Sequence, residues 1–128
     1  MTQAEAAALT VVLEAGAGAA LAPWLRRSAG HAQASVARAQ AALACGLASA
    51  LTHPFAWSAN RALDAHLPFA ERAAVIELAV VVAEATLFGF GLRLRPASAL
   101  MLSFVCNGAS FGFGLLAWWL RQLLSGGG

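Results

Sequence analysis

Glu14, Glu77 and Glu84 each stand inside a long apolar run, and no other feature of the chain carries as much chemistry. An ionised carboxylate at the middle of a bilayer costs about 2.5–3.5 kcal/mol on insertion scales, so such an acid is expected against protein or a water-filled cavity rather than lipid. An acid held there can exchange a proton near neutral pH. One reading of the three is therefore a proton or cation path, or a coordination site. The other is polar glue, a neutral Glu bonded to Asn or Ser between helices at about 0.6 kcal/mol per contact.

The neighbours of these acids recur at helical spacing. Glu77 and Glu84 are seven positions apart, two turns of one face and about 10 Å along a helix axis. Thr10, Glu14 and Gly18 share a face of the first run. Cys45, Ser49 and His53, with Thr52 beside them, share one of the second, and Ser103, Asn107, Ser110 and Gly114 one of the fourth. Each run thus has one small or polar face, as a bundle interior requires. Antiparallel order brings Glu14, Glu84 and Asn107 to a common depth as a central cluster, and His53 and Glu77 to a common outer level. The candidate intramembrane site is Glu14, Glu77, Glu84, Asn107 and His53.

Other chemistry is weakly signalled. Cys45 and Cys106 form no CxxC pair and read as small buried residues. His53, His66, Asp64 and Glu71 match no fixed ligand spacing, so neither metal nor cofactor is expected. HExxH, GxSxG and P-loop motifs are missing. A Ser–His dyad would have to pair Ser49 or Ser110 with His53, and the chain is not expected to be an enzyme.

The elements that hold these residues follow from composition. Of 128 residues, 60% are hydrophobic and 11% charged, and the mean hydropathy is +0.71. A soluble domain carries about 25% charged residues. A disordered chain, a coiled coil, a disulfide-rich secreted domain and a nucleic-acid binder are all excluded by this balance, and a net charge of +2 names no acidic partner. Four apolar blocks, about 4–25, 35–57, 71–92 and 96–120, are each long enough to cross a hydrocarbon core of about 30 Å as a helix. The expected fold is an all-α integral membrane protein, one domain over 1–128, in the form of an antiparallel bundle of four transmembrane helices. The second helix is expected to end or kink at His53–Pro54, since a residue before proline is pushed off the helical region. The link from Ser58 to Ala70 is read as polar and extended.

Arg26, Arg27, Arg38, Arg93 and Arg95 flank the two short turns, and Arg61, Arg72 and Arg121 the other side. The positive-inside rule then puts the short turns in the cytoplasm of a bacterial-type inner or plasma membrane and both termini outside. The amino-terminal segment lacks a basic n-region and is expected to remain as a membrane helix. Trp24, Trp57, Trp118 and Trp119 fall at block ends, as in an aromatic belt. Gly46 lies in a small-xxx-small pattern, and Gly108 and Gly112 form GxxxG. All three are read as helix-packing positions.

With small links and no catalytic motif, the leading expectation is a non-catalytic accessory, assembly or scaffold subunit of a larger membrane complex. Its partners would be the bilayer and other membrane subunits or further copies of itself, not nucleic acid. The alternative is a proton- or cation-linked small transporter or channel using the intramembrane Glu residues. A transporter needs those acids on a wet cavity, whereas a subunit can bury them at helix contacts.

Overall fold

The computed structural model describes residues 3–28 and 38–125. The described residues form four helices: α1 (Gln3–Ser28), α2 (Arg38–Leu63), α3 (Phe69–Gly91) and α4 (Pro96–Ser125). The link between α1 and α2, with His31, and the side chain of Trp118 lie outside the described residues.

The helices pack in a ring, α1 on α2, α2 on α3, α3 on α4 and α4 on α1. Residue pairs give the direction. Gly18 faces Ala41 and Cys45, while Gly46 faces Val11 and Ala15, so α1 and α2 run antiparallel. Thr52 meets Glu84 and Asp64 meets Arg72, so α2 and α3 do too. One end of the bundle carries Arg38, Arg93, Arg95 and the last turn of α1, and is called here the arginine end. The other holds the turn from α2 to α3 and is called the link end.

α1, α3 and α4 each contain a segment long and apolar enough to cross a membrane: Gln3–Leu25, Phe69–Gly91 and Pro96–Leu116. α2, at 26 residues, has the length but not that apolarity. Its faces explain why. Cys45, Ser49 and Thr52 turn inward, whereas Leu43, Leu47, Leu51 and Phe55 form an exposed stripe at four-residue spacing. Ser49, Thr52 and His53, which lower its mean hydropathy, are on its inner side.

The apolar core is gathered toward the arginine end, around Leu25, Cys45, Phe88, Leu102 and Cys106, all nearly inaccessible. Gly18 allows α1 and α2 to close there. A Cβ at Gly18 would lie 2.6 Å from Cys45 Sγ and 2.8 Å from the Ala41 carbonyl oxygen.

Two expectations are corrected. α2 neither ends at His53 nor starts the link at Ser58: it continues through Pro54 to Leu63. Inside a bundle, the backbone group that proline strands can be satisfied by neighbouring helices and side chains. The carbonyl that Pro54 leaves without a donor is that of Ala50, and one turn on the Ser58 hydroxyl adds a bond to the Pro54 carbonyl at 2.8 Å. The apolar block marks where hydropathy falls, not where helical bonding stops, so the link shrinks to Asp64–Pro68. It is closed by backbone bonds from His66 and Leu67 to the Leu63 carbonyl, and by an ion pair between Arg72 and Asp64. The α3–α4 turn is equally short. Leu92 N–H donates to Phe88 O, Arg93 takes a left-handed φ of 53°, and Pro96 opens α4.

Candidate functional site

The inward faces of the four helices carry a polar layer on the link side of the apolar core. Glu84 of α3 is its most heavily bonded member. Its side chain is 0% exposed. Oε1 accepts from Thr52 Oγ1 at 2.9 Å, and Oε2 accepts from Asn107 Nδ2 at 2.5 Å and from Ser103 Oγ at 3.3 Å. Asn107 also donates to the Ser103 carbonyl at 3.0 Å. One carboxyl group thereby joins α2, α3 and α4.

Glu14 of α1 is equally buried, at 1% exposure, but differently bonded. Ser110 Oγ lies 3.0 Å from its Oε1, while Oε2 has no hydrogen-bond partner. An unpaired buried polar atom is costly. The Ser49 hydroxyl, also 1% exposed, has no partner either, and neither has His53 Nε2. Since both Ser49 Oγ and His53 Nε2 are unbonded, these two residues form no dyad.

These unpaired groups line a common cavity of about 260 Å³. Glu14, Ser49, Asn107 and Ser110 stand at its inner end, with Thr10, Thr52, His53 and Glu77 around it. Trp57, Asn60 and Phe69 lie toward the link end. Exposure grades along it. Glu14, Ser49 and Asn107 are buried, whereas Thr10, His53, Trp57, Asn60 and Glu77 are half-buried. Toward the arginine end the bundle is filled by the apolar core. The polar space is therefore closed toward the arginine end.

Both buried acids have hydroxyl partners with a second acceptor. Thr52 Oγ1 lies 2.9 Å from Glu84 Oε1 and 3.0 Å from the Ala48 carbonyl oxygen. Ser110 Oγ lies 3.0 Å from Glu14 Oε1 and 3.0 Å from the Asn107 carbonyl oxygen. A hydroxyl has one proton and two lone pairs. Facing a carboxylate, it donates to it. Facing a neutral acid, it turns its proton to the carbonyl and accepts the acid's proton. At Glu84 Oε1 and Glu14 Oε1, either protonation state is accommodated without moving a heavy atom.

The structure thus brings Glu84 and Asn107 into contact and links Glu14 to Asn107 through Ser110. His53 and Glu77 share the cavity wall, with no hydrogen bond between them among the described residues. Gly46 packs at ordinary distance, 3.5 Å from its Cβ position to Ala15 Cβ. Gly108 and Gly112 correct the sequence reading of intramolecular packing. A Cβ at either meets nothing within 4 Å, and both are exposed. A spacing of four fixes a common face but not its direction. The inner face of α4 belongs to Leu102, Ser103, Cys106 and Asn107. Trp57 also departs from the belt reading: it lines the cavity, its ring stacked on His53 at 6.3 Å between centroids. Asp64 is paired with Arg72, and no three metal-ligating side chains converge among the described residues.

Sequence reasoning placed Thr52 near the polar face without giving it a bond to Glu84, and read Trp57 as a belt residue. The helical continuation past Pro54, which carries Trp57 to the cavity wall one turn beyond His53, is the signal that finds Trp57. Comparison with protein-family models, curated proteins and solved structures returns no match.

Proposed function

We propose that the chain is an integral membrane protein with all four helices across the bilayer, and that its cavity is a site, closed toward the arginine end, for a proton or small cation in transport across that membrane. For α2, the support is its exposed Leu43–Leu47–Leu51–Phe55 stripe, which suits lipid as its inner face suits the cavity. The arginine end is assigned to the cytoplasm, so both termini and the cavity face the outside of a bacterial-type inner or plasma membrane.

The observation that carries the transport reading is Glu14: buried, half-bonded, and on the wall of a polar cavity that ends on an apolar plug. A carboxyl group serving only to hold helices together would have both oxygens engaged, as Glu84 has. In this reading Glu84 holds α2, α3 and α4 together, Glu14 exchanges the proton or cation, and Glu77 and His53 shape the approach. Ion or proton flux into proteoliposomes tests it. Glu14→Gln, which keeps shape and removes the exchangeable charge, is expected to reduce flux at least tenfold with folding intact. Unchanged flux in that variant removes Glu14 from the mechanism.

A second reading, an accessory subunit without catalytic activity, draws on α4. Gly108 and Gly112 face outward with nothing against them, beside exposed Phe104 and Phe111. The native mass of the gently solubilised protein separates the two. A defined assembly with other proteins supports the subunit; a monomer or small homo-oligomer supports the transporter.

A further inference from the structure

We infer that the cavity takes an organic ammonium ion with an apolar or aromatic body, its charged nitrogen at Glu14 and Ser49 and its body among Trp57, Phe69 and Phe111. The assignment rests on the cation-site reading above and names the ligand class for it.

The polar end of the cavity offers acceptors. Glu14 Oε2 and Ser49 Oγ are both buried and both without a well-formed hydrogen bond, and both belong to residues that line the cavity. An ammonium nitrogen brings donors and a positive charge to these two atoms. The lining contains Glu14 and Glu77 and neither Arg nor Lys, so an anion would meet carboxylates with nothing to balance it. No three His, Cys, Asp or Glu side chains converge among the described residues, so the cavity offers no ligand set for a transition metal.

Size and wall chemistry favour a larger cation. A volume of about 260 Å³ corresponds to roughly nine waters at about 30 Å³ each, far more than one inorganic ion fills. Trp57 and Phe111 supply aromatic faces, which attract a cation and pack an apolar body, while Phe69, whose ring already lies 5.8 Å from the Arg72 guanidinium, supplies apolar wall.

The cavity also borders the lipid side of the bundle. A groove of about 440 Å³ runs between α3 and α4, lined by Phe104 and Gly108 among others, and shares Phe69, Ala73, Glu77, Asn107 and Phe111 with the cavity. Glu77 therefore stands between a polar interior and an apolar exterior. An amine with an apolar body is compatible with both surfaces.

Isothermal titration calorimetry on the full chain in nanodiscs tests the assignment. The probes are 2-phenylethylammonium, phenylacetate as the anion of similar shape, and sodium. The expected result is saturable binding of 2-phenylethylammonium alone, weakened at least tenfold by Glu14→Gln and at least threefold by Ser49→Ala. The second variant removes a buried hydroxyl without a well-formed hydrogen bond, and unfolding midpoints measured beside the titrations separate loss of the site from loss of the fold. Binding that neither variant weakens overturns the assignment. So does no binding by a wild-type protein whose proton flux still depends on Glu14, which leaves the cation-site reading standing. No binding together with flux indifferent to Glu14→Gln overturns both.

Discussion

Ser110 Oγ lies 3.0 Å from Glu14 Oε1, joining the first helix to the fourth across 96 positions of sequence. The same oxygen lies 3.0 Å from the Asn107 carbonyl oxygen. One hydroxyl proton thus has two acceptors, and the choice between them follows the charge on Glu14. Ser110→Ala removes the partner that adapts to either state. It is expected to slow proton flux severalfold, while destabilising the bundle by only about 0.5–1.5 kcal/mol. Thermal unfolding and proteoliposome flux measured on the same preparation check the pair of effects. A variant with normal flux would make the Ser110 contact purely structural.

Glu84 behaves in the opposite way. Its carboxyl group accepts from Thr52, Ser103 and Asn107 with no exposed surface. Glu84→Ala takes this acceptor from Ser103 and from one N–H of Asn107, while Thr52 keeps the Ala48 carbonyl, at a cost of about 1–3 kcal/mol for each donor left unpaired. Glu84→Gln keeps an acceptor oxygen and is expected to recover part of that loss. Unfolding midpoints in a mild detergent, ordered wild type above Glu84→Gln above Glu84→Ala, are the expected result. Equal midpoints would show that the three donors are satisfied without Glu84.

Two glycines separate close approach from mere smallness. A Cβ at Gly18 would sit 2.6 Å from Cys45 Sγ and 2.8 Å from the Ala41 carbonyl, one of them fixed backbone. Gly18→Ala must push α1 from α2, at about 1–3 kcal/mol. At Gly46 the nearest atom is 3.5 Å away, an ordinary contact. There alanine adds helix propensity of about 1 kcal/mol at no steric cost. Gly46→Ala is expected to be neutral or stabilising in the same unfolding assay, and a similar loss at both positions would contradict the packing of α1 on α2.

The register of the polar faces was legible in the sequence because helical periodicity fixes which residues share a side. Thr10–Glu14–Gly18, Cys45–Ser49 and Ser103–Asn107–Ser110 all face the interior. Direction and role were not legible. Gly108–Gly112 has the spacing of a packing motif, yet it points outward, since GxxxG carries no information on which side its partner stands. Glu14 and Glu84 look alike as isolated acids in apolar runs. Their difference, one half-bonded and one fully engaged, arises from the hydroxyls and amide that the fold brings to each. The continuation of α2 through Pro54 was not legible because the preference of a residue before proline is local, and a helix can carry a proline inside it.

Orientation is open to a direct check. In a chain carrying Cys45→Ala and Cys106→Ala, Ala65→Cys at the link end and Ala97→Cys at the arginine end both introduce thiols at exposed positions. An impermeant maleimide added to intact cells is expected to label the first and spare the second. The reverse pattern would invert the topology and turn the cavity toward the cytoplasm.

The central claim is that Glu14, and not Glu84, is the acid that exchanges with the cavity. Site-resolved carbodiimide labelling reads this most directly, because the reagent attacks a neutral carboxyl group that it can reach. After reaction of the wild-type protein in membranes, peptide mass spectrometry is expected to find the adduct on Glu14, with Glu84 unmodified. An adduct on Glu84 with Glu14 unmodified, or one distributed equally between them, would contradict the account.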